Sequence, residues 1–115
     1  MKSVFSTSEP PLLKVTGRNY GYPVRRIFCV GRNYVEHVLE LGNEVEKKQP
    51  FYFTKSSFSL LGSEKNLTYP PMTNDLHHEV ELVVAIAKPL QKASREELEG
   101  SIFGYACGLD MTRRD

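Results

Sequence analysis

The chain has 115 residues, 15 of them basic and 14 acidic, for a net charge of +1. That length makes one domain at most and buries about two-thirds of the surface its unfolded chain exposes. A composition 40% hydrophobic and 25% charged excludes a collagen, a disordered chain and a polycation.

The opening segment, MKSVFSTSEPP, has no apolar stretch of signal-peptide length and no evident organelle transit pattern. The longest apolar run, Leu82 to Ala87, is far short of the ~20 residues a membrane span needs. The chain therefore reads as cytoplasmic, without a membrane partner. Residues 1–23 carry Pro10, Pro11, Gly17, Gly21 and Pro23 and read as an irregular lead-in with one short strand, Leu12 to Val15. Arg26 to Val30 predicts a buried strand ending at Gly31. A helix is expected from Tyr34 to Leu41. Asn33 suits its N-cap, Glu36 can reach back to the cap amide, and Gly42 suits the C-terminal stop. Tyr34, Val38 and Leu41 form its apolar stripe.

Asn43 to Pro50 reads as a charged loop, followed by short strands at Phe51 to Thr54 and Phe58 to Leu61. A turn-rich stretch runs through Gly62, Asn66, Pro70, Pro71 and Asn74. Glu79 to Ala87 is a strand, Ser94 opens a short helix with Glu97 completing a capping box, and Phe103 to Leu109 is a further apolar strand. Strands mixed with two short helices make the class α+β.

Cys29 and Cys107 both lie in apolar runs and read as reduced thiols in buried strands. Between Lys14 and Val35 there are five basic residues (Lys14, Arg18, Arg25, Arg26, Arg32) and no acidic one. Tyr20, Tyr22, Phe28 and Tyr34 are interleaved with them. That mixture is either a solvated basic face or a surface for a small anion or nucleic acid. No RNA-recognition or zinc-knuckle pattern accompanies it, and the near-neutral overall charge weighs against nucleic acid.

The chemistry gathers at H-H-E-V-E-L-V-V-A-I, residues 77–86. On a strand, Glu79, Glu81, Val83 and Ala85 share one face, and Val80, Leu82, Val84 and Ile86 the other. Two carboxylates on one face repel and resist desolvation. A solvent-facing strand end, a lysine partner or a bound cation would each answer this. Asp110 follows the run Phe103 to Leu109, where a strand would emerge at a sheet rim, and supplies a third carboxylate. Three carboxylates without a thiolate select a hard cation, Mg²⁺, Mn²⁺ or Ca²⁺, ahead of zinc. His77 and His78 keep zinc in view but read first as polar residues closing a turn. His37 and Glu40 are three apart on the first predicted helix, so they share a side. A carboxylate beside an imidazole suits an oriented general base; a surface pair is the plainer alternative.

The segments C-V-G-R-N-Y-V-E-H-V-L-E-L-G-N, N-D-L-H-H-E-V-E-L-V-V-A-I and G-Y-A-C-G-L-D-M-T-R-R-D occur in this order. In them the chain resembles the fumarylacetoacetate hydrolase family, in its fumarylpyruvate and acylpyruvate hydrolase branch. The resemblance covers residues 24–115 as the N-terminal portion of a catalytic domain. It implies a mixed β-sandwich roll, a divalent metal (usually Mg²⁺), a homodimer, and action on 2,4-dioxo acids with release of pyruvate. Oxaloacetate decarboxylation or keto-acid isomerisation in the same family is the alternative, and a basic anion- or nucleic-acid-binding module a third. The resemblance makes Glu79, Glu81 and Asp110 the metal ligands, His37 the general base and Glu40 its partner. It sets Arg114 beside the substrate's developing charge, with Arg32 and Lys55 as substrate-binding residues. Ser56 follows Lys55 where the family usually has proline.

The family domain is longer than this chain, which stops after D-M-T-R-R-D. A later A-K-x-F-type lysine and a G-T-P-x-G-type loop are not in it. The partners of strands Glu79–Ala87 and Phe103–Leu109 are expected to lie outside it as well. An intact hydrolase site, and catalysis by this chain alone, are therefore not expected.

Overall fold

The computed structural model describes residues 3–31 and 50–115. The expected helix Tyr34–Leu41, its caps, and Arg32, His37 and Glu40 lie outside the described residues. Two compact units are present, Met1–Leu67 and Thr68–Asp115.

The first unit holds two antiparallel pairs. Strand β1 (Leu12–Lys14) pairs with β2 (Gly21–Pro23), with Leu13 opposite Tyr22. Its turn uses Gly17 at φ 71°, and the Arg18 amide donates to the Val15 carbonyl at 3.1 Å. The second strand of this pair was not expected, because a three-residue strand ending in Pro23 offers no alternation to read. Strand β3 (Ile27–Gly31) pairs with β4 (Phe51–Lys55), close to the expected bounds. The expected strand Phe58–Leu61 is instead a 3₁₀ turn, Ser57–Ser59. Ser56 explains the difference: its hydroxyl accepts from the Phe58 amide at 3.3 Å, and its carbonyl accepts from the Ser59 hydroxyl at 2.6 Å. Local serine hydrogen bonds of this kind compete with a sheet ladder.

The second unit is one long antiparallel hairpin. Strand β5 (Leu76–Ile86) pairs with β6 (Ile102–Arg113) along its whole length, with a bulge between Ala85 and Ile86. The two strands thus partner each other along one edge, which the sequence reading did not anticipate. The pairing corrects the reading of His77 and His78 as turn residues, because the ladder carries both inside β5. Helix α1 (Arg95–Glu99) lies in the connection and has the expected capping box. The Glu97 amide donates to the Ser94 hydroxyl at 3.3 Å, and the Ser94 amide donates to the Glu97 carboxylate at 2.7 Å.

Among the described residues only Val24, Thr73 and Ser101 are buried. Neither cysteine is in a disulfide, as expected, but Cys107 is exposed and Cys29 half-buried, so the expectation that both are buried is corrected. Cys107 lies opposite Leu82, on the open face of the hairpin. No helix among the described residues is long and apolar enough to cross a membrane.

The Glu97 carboxyl sits below its ordinary 4.5, held there by hydrogen bonds from the Ser94 amide and then the Ser94 hydroxyl. Folding thus favours the charged form. Its stabilisation is complete above pH 4.5 and is lost as acidification passes through the lowered value. Ser94→Ala is expected to cost the helix about 1 kcal/mol. A lower protection factor at the Glu97 and Leu98 amides, approached in the wild type as acidification protonates Glu97, is the check. Unchanged exchange would mean the cap contributes nothing.

Candidate metal and substrate site

Cross-strand register, more than strand identity, builds this site. Glu79 stands directly opposite Asp110, and Glu81 opposite Gly108. Directly opposed residues point to the same face, so the three carboxylates share one side of the hairpin. That side, with Val83 and Ala85, is half-buried, while Val80, Leu82 and Val84 on the other face are exposed at 63%, 64% and 43%. Asp110 lies inside β6, three residues before its end, where a strand terminus had been expected. Gly108 leaves the position across from Glu81 without a side chain. A Cβ there would meet Val83 Cγ2 at 2.8 Å.

Arg114 reaches back from beyond the end of β6 and donates to Glu79 Oε1 through a guanidinium nitrogen. Both side chains are largely shielded, 28% and 20% exposed. Arg114 thus gives the charged face a cationic partner, an arginine in place of the lysine that was one of the three alternatives. With Glu79 turned to Arg114, no three His, Cys, Asp or Glu among the described residues lie within reach of one metal ion. The register nevertheless sets the three carboxylates on one face. That donor chemistry fits a hard divalent cation. His77 does not join them; its Nε2 lies 2.8 Å from Asp75 Oδ1, beside the strand entry.

A second set of interactions lies behind Arg114. Its backbone amide donates to the Asp75 carbonyl at 2.9 Å. The neighbouring Asp115 carboxylate accepts from the Thr73 hydroxyl at 2.5 Å and the Asn74 amide at 2.8 Å. Those bonds, the threonine hydroxyl first, hold the Asp115 carboxyl below its ordinary 3.8. Sequence reasoning did not single out Thr73 or Asp115. The only signal for them was a Thr two residues before an Asp at a turn.

In the first unit, Lys55 closes β4 opposite Ile27 and lines an open cleft of about 370 Å³ with Arg25, Arg26, Thr54, Ser56 and Ser57. The Arg26 guanidinium lies 5.7 Å from the centre of the Phe28 ring, a cation–π distance. Ile27, Phe28 and Phe58 line the same cleft, so Arg25, Arg26 and Lys55 meet there over a largely apolar floor.

A family model described as "Fumarylacetoacetate (FAA) hydrolase C-terminal" matches residues 26–115. A fumarylpyruvate hydrolase of a Ralstonia species is 49% identical over 77 residues, which cover 65% of this chain and 40% of that protein. A mitochondrial oxaloacetate tautomerase of Caenorhabditis elegans is 44% identical over 78% of this chain and 42% of its own length. The crystal structure of fumarylpyruvate hydrolase from Pseudomonas aeruginosa in complex with Mn²⁺ and pyruvate superposes with a TM-score of 0.88 at 40% identity. That match covers 99% of this chain and 51% of the other. The chain thus spans about two-fifths to one-half of the length of these relatives.

Gly108→Val is expected to push against Val83 and strain the ladder beside Glu81, costing about 1–3 kcal/mol. A lowered Tm, with faster amide exchange in β5 and β6, would show it. An unchanged Tm would mean that Val83 yields and the open position is not needed.

Proposed function

The chain belongs to the fumarylacetoacetate hydrolase family, and on that premise we propose that it carries the metal-binding part of an enzyme cleaving a carbon–carbon bond in 2,4-dioxo acids of the fumarylpyruvate or acylpyruvate type. The observation that carries this reading is the direct opposition of Glu79 and Asp110, with Glu81 on the same face and Arg114 at its edge. Glu79, Glu81 and Asp110 are the residues proposed to hold Mg²⁺, with Mn²⁺ or Ca²⁺ as alternatives. When bound, such a cation supplies Lewis-acid polarisation of the substrate's 2-oxo group and offsets its negative charge.

The remaining steps fall to the chain's own side chains. His37, oriented by Glu40, takes a proton from water, and the water oxygen adds to the carbonyl at C4. The bond between C3 and C4 then breaks, and the pyruvate portion leaves as its enolate and is protonated. Arg114 faces the negative charge that develops as this happens. Arg32 and Lys55 bind the substrate's carboxylate. A β-sandwich roll, a homodimer and a cytoplasmic setting belong to the same proposal.

A second reading is favoured by the oxaloacetate tautomerase at 44% identity. Oxaloacetate presents the same 2-oxo carboxylate, so the same carboxylates and Arg114 would serve, with proton transfer in place of bond cleavage.

Calorimetric titration of Mn²⁺ into the purified chain tests the metal assignment. Glu81→Gln is expected to abolish or sharply weaken binding, and unchanged affinity would sink it. Where the chain turns over fumarylpyruvate, His37→Ala should lower kcat by about 10²–10⁴-fold with Mn²⁺ affinity kept. An unaltered kcat would remove His37 from the reaction. Pyruvate release, against keto–enol interconversion of oxaloacetate without it, separates the two readings.

A further inference from the structure

Arg114 lies one residue past the last ladder pair, Leu76 with Arg113. A side chain there would ordinarily share the fraying of a strand end. Here the main chain is tied down on both sides of its stem. The Arg114 amide is bonded to the Asp75 carbonyl, and the Asp115 carboxylate spans the Thr73 hydroxyl and the Asn74 amide. Thr73 is itself 7% exposed, and its Oγ1 also accepts from the Asp75 amide at 3.2 Å. Residues 73–75 lead directly into β5, which carries Glu79. The chain therefore forms a closed ring: Glu79 along β5 to its entry, across Thr73 and Asn74 to Asp115, and through Arg114 back to Glu79.

We propose that Asp115 is a positioning residue, holding Arg114 on the Glu79 carboxylate through Thr73 and the Asn74 amide. The Asp115 carboxylate is bonded to the Thr73 hydroxyl and the Asn74 amide. It acts by restricting where the Arg114 guanidinium can go. A held guanidinium competes with a divalent cation for Glu79, so the ring also sets how tightly the cation is taken up. This last consequence rests on the metal-site reading above, while the positioning role does not.

The test uses the full chain, ¹⁵N-labelled. Loss of one cross-peak in Arg114→Lys identifies the Arg114 Nε–Hε signal. In the wild type that signal is expected to be shifted from free arginine and slow to exchange with water. Asp115→Ala should move it to the free-arginine position and accelerate its exchange, with the β5 and β6 ladder amides unchanged. Asp115→Asn keeps an acceptor for the Asn74 amide and should restore part of the shift. Thr73→Val removes one bond of the ring and gives the same comparison if Asp115→Ala fails to fold. An Arg114 signal indifferent to Asp115→Ala or Thr73→Val, with the Asn74 amide released, overturns the proposal.

Mn²⁺ titration supplies the second arm. Asp115→Ala and Arg114→Gln should each tighten Mn²⁺ several-fold, and the double variant no more than Arg114→Gln alone. Additive effects would mean that Asp115 does not act through Arg114, and would overturn it. Absence of Mn²⁺ binding in every variant ends the metal-site reading, and the guanidinium signal alone then decides the role of Asp115.

Discussion

Two carboxylates facing each other across a ladder dominate this structure. Glu79 and Asp110 are directly opposed, and Glu81 follows on the same half-buried side. Like charges in that position oppose hairpin formation. The fold answers them with Arg114, brought back from beyond the strand end. That answer depends on register. A slip of one residue would turn Glu79 and Glu81 to the apolar side and leave Arg114 without its partner. The register is held at both ends, by the bulge at Ala85 and Ile86 and by the Arg114 amide bonded to the Asp75 carbonyl.

The distribution of polarity across the hairpin is the reverse of an ordinary two-faced sheet. The charged side is half-buried, and the apolar side, with Val80, Leu82, Tyr105 and Leu109, is open. Burying charge has meaning only where the charges are compensated, by a cation or by a fixed arginine. Leaving valine and leucine in contact with water has the opposite sense. It concentrates the hairpin's tendency to associate on one face and keeps it off the carboxylates.

Parity made part of this legible in the sequence. Alternation alone put Glu79 and Glu81 on one face, because side-chain direction along a strand is a local property. The Ser94–Glu97 capping box was equally local and was read in full. Register was not legible, since it depends on residues far apart in the chain. Hence the pairing of β5 with β6 was not anticipated, and Asp110 was put at a rim when it lies inside the ladder. The 3₁₀ turn after β4 and the thiol exposure of Cys107 were missed for related reasons: apolar composition marked both as strand core, and hydroxyl bonding and face exposure decided otherwise. His37, Glu40 and Arg32 were singled out from the sequence and lie outside the described residues. The family was legible from three motifs in order, which composition and periodicity could not have supplied.

The long connection between β5 and β6, with its capped helix, sets an order of events during synthesis. β5 emerges from the ribosome ahead of β6, and the compensating Arg114 emerges only after β6. At about 5–20 residues per second, Glu79 and Glu81 wait on the order of seconds for their partner strand, while hairpin closure takes about 1–10 μs once it arrives. During that wait the two carboxylates keep the nascent β5 segment charged and hydrated beside its run of valine and leucine. The residues that make the finished face difficult to fold are thus the ones that guard the unfinished strand against premature pairing.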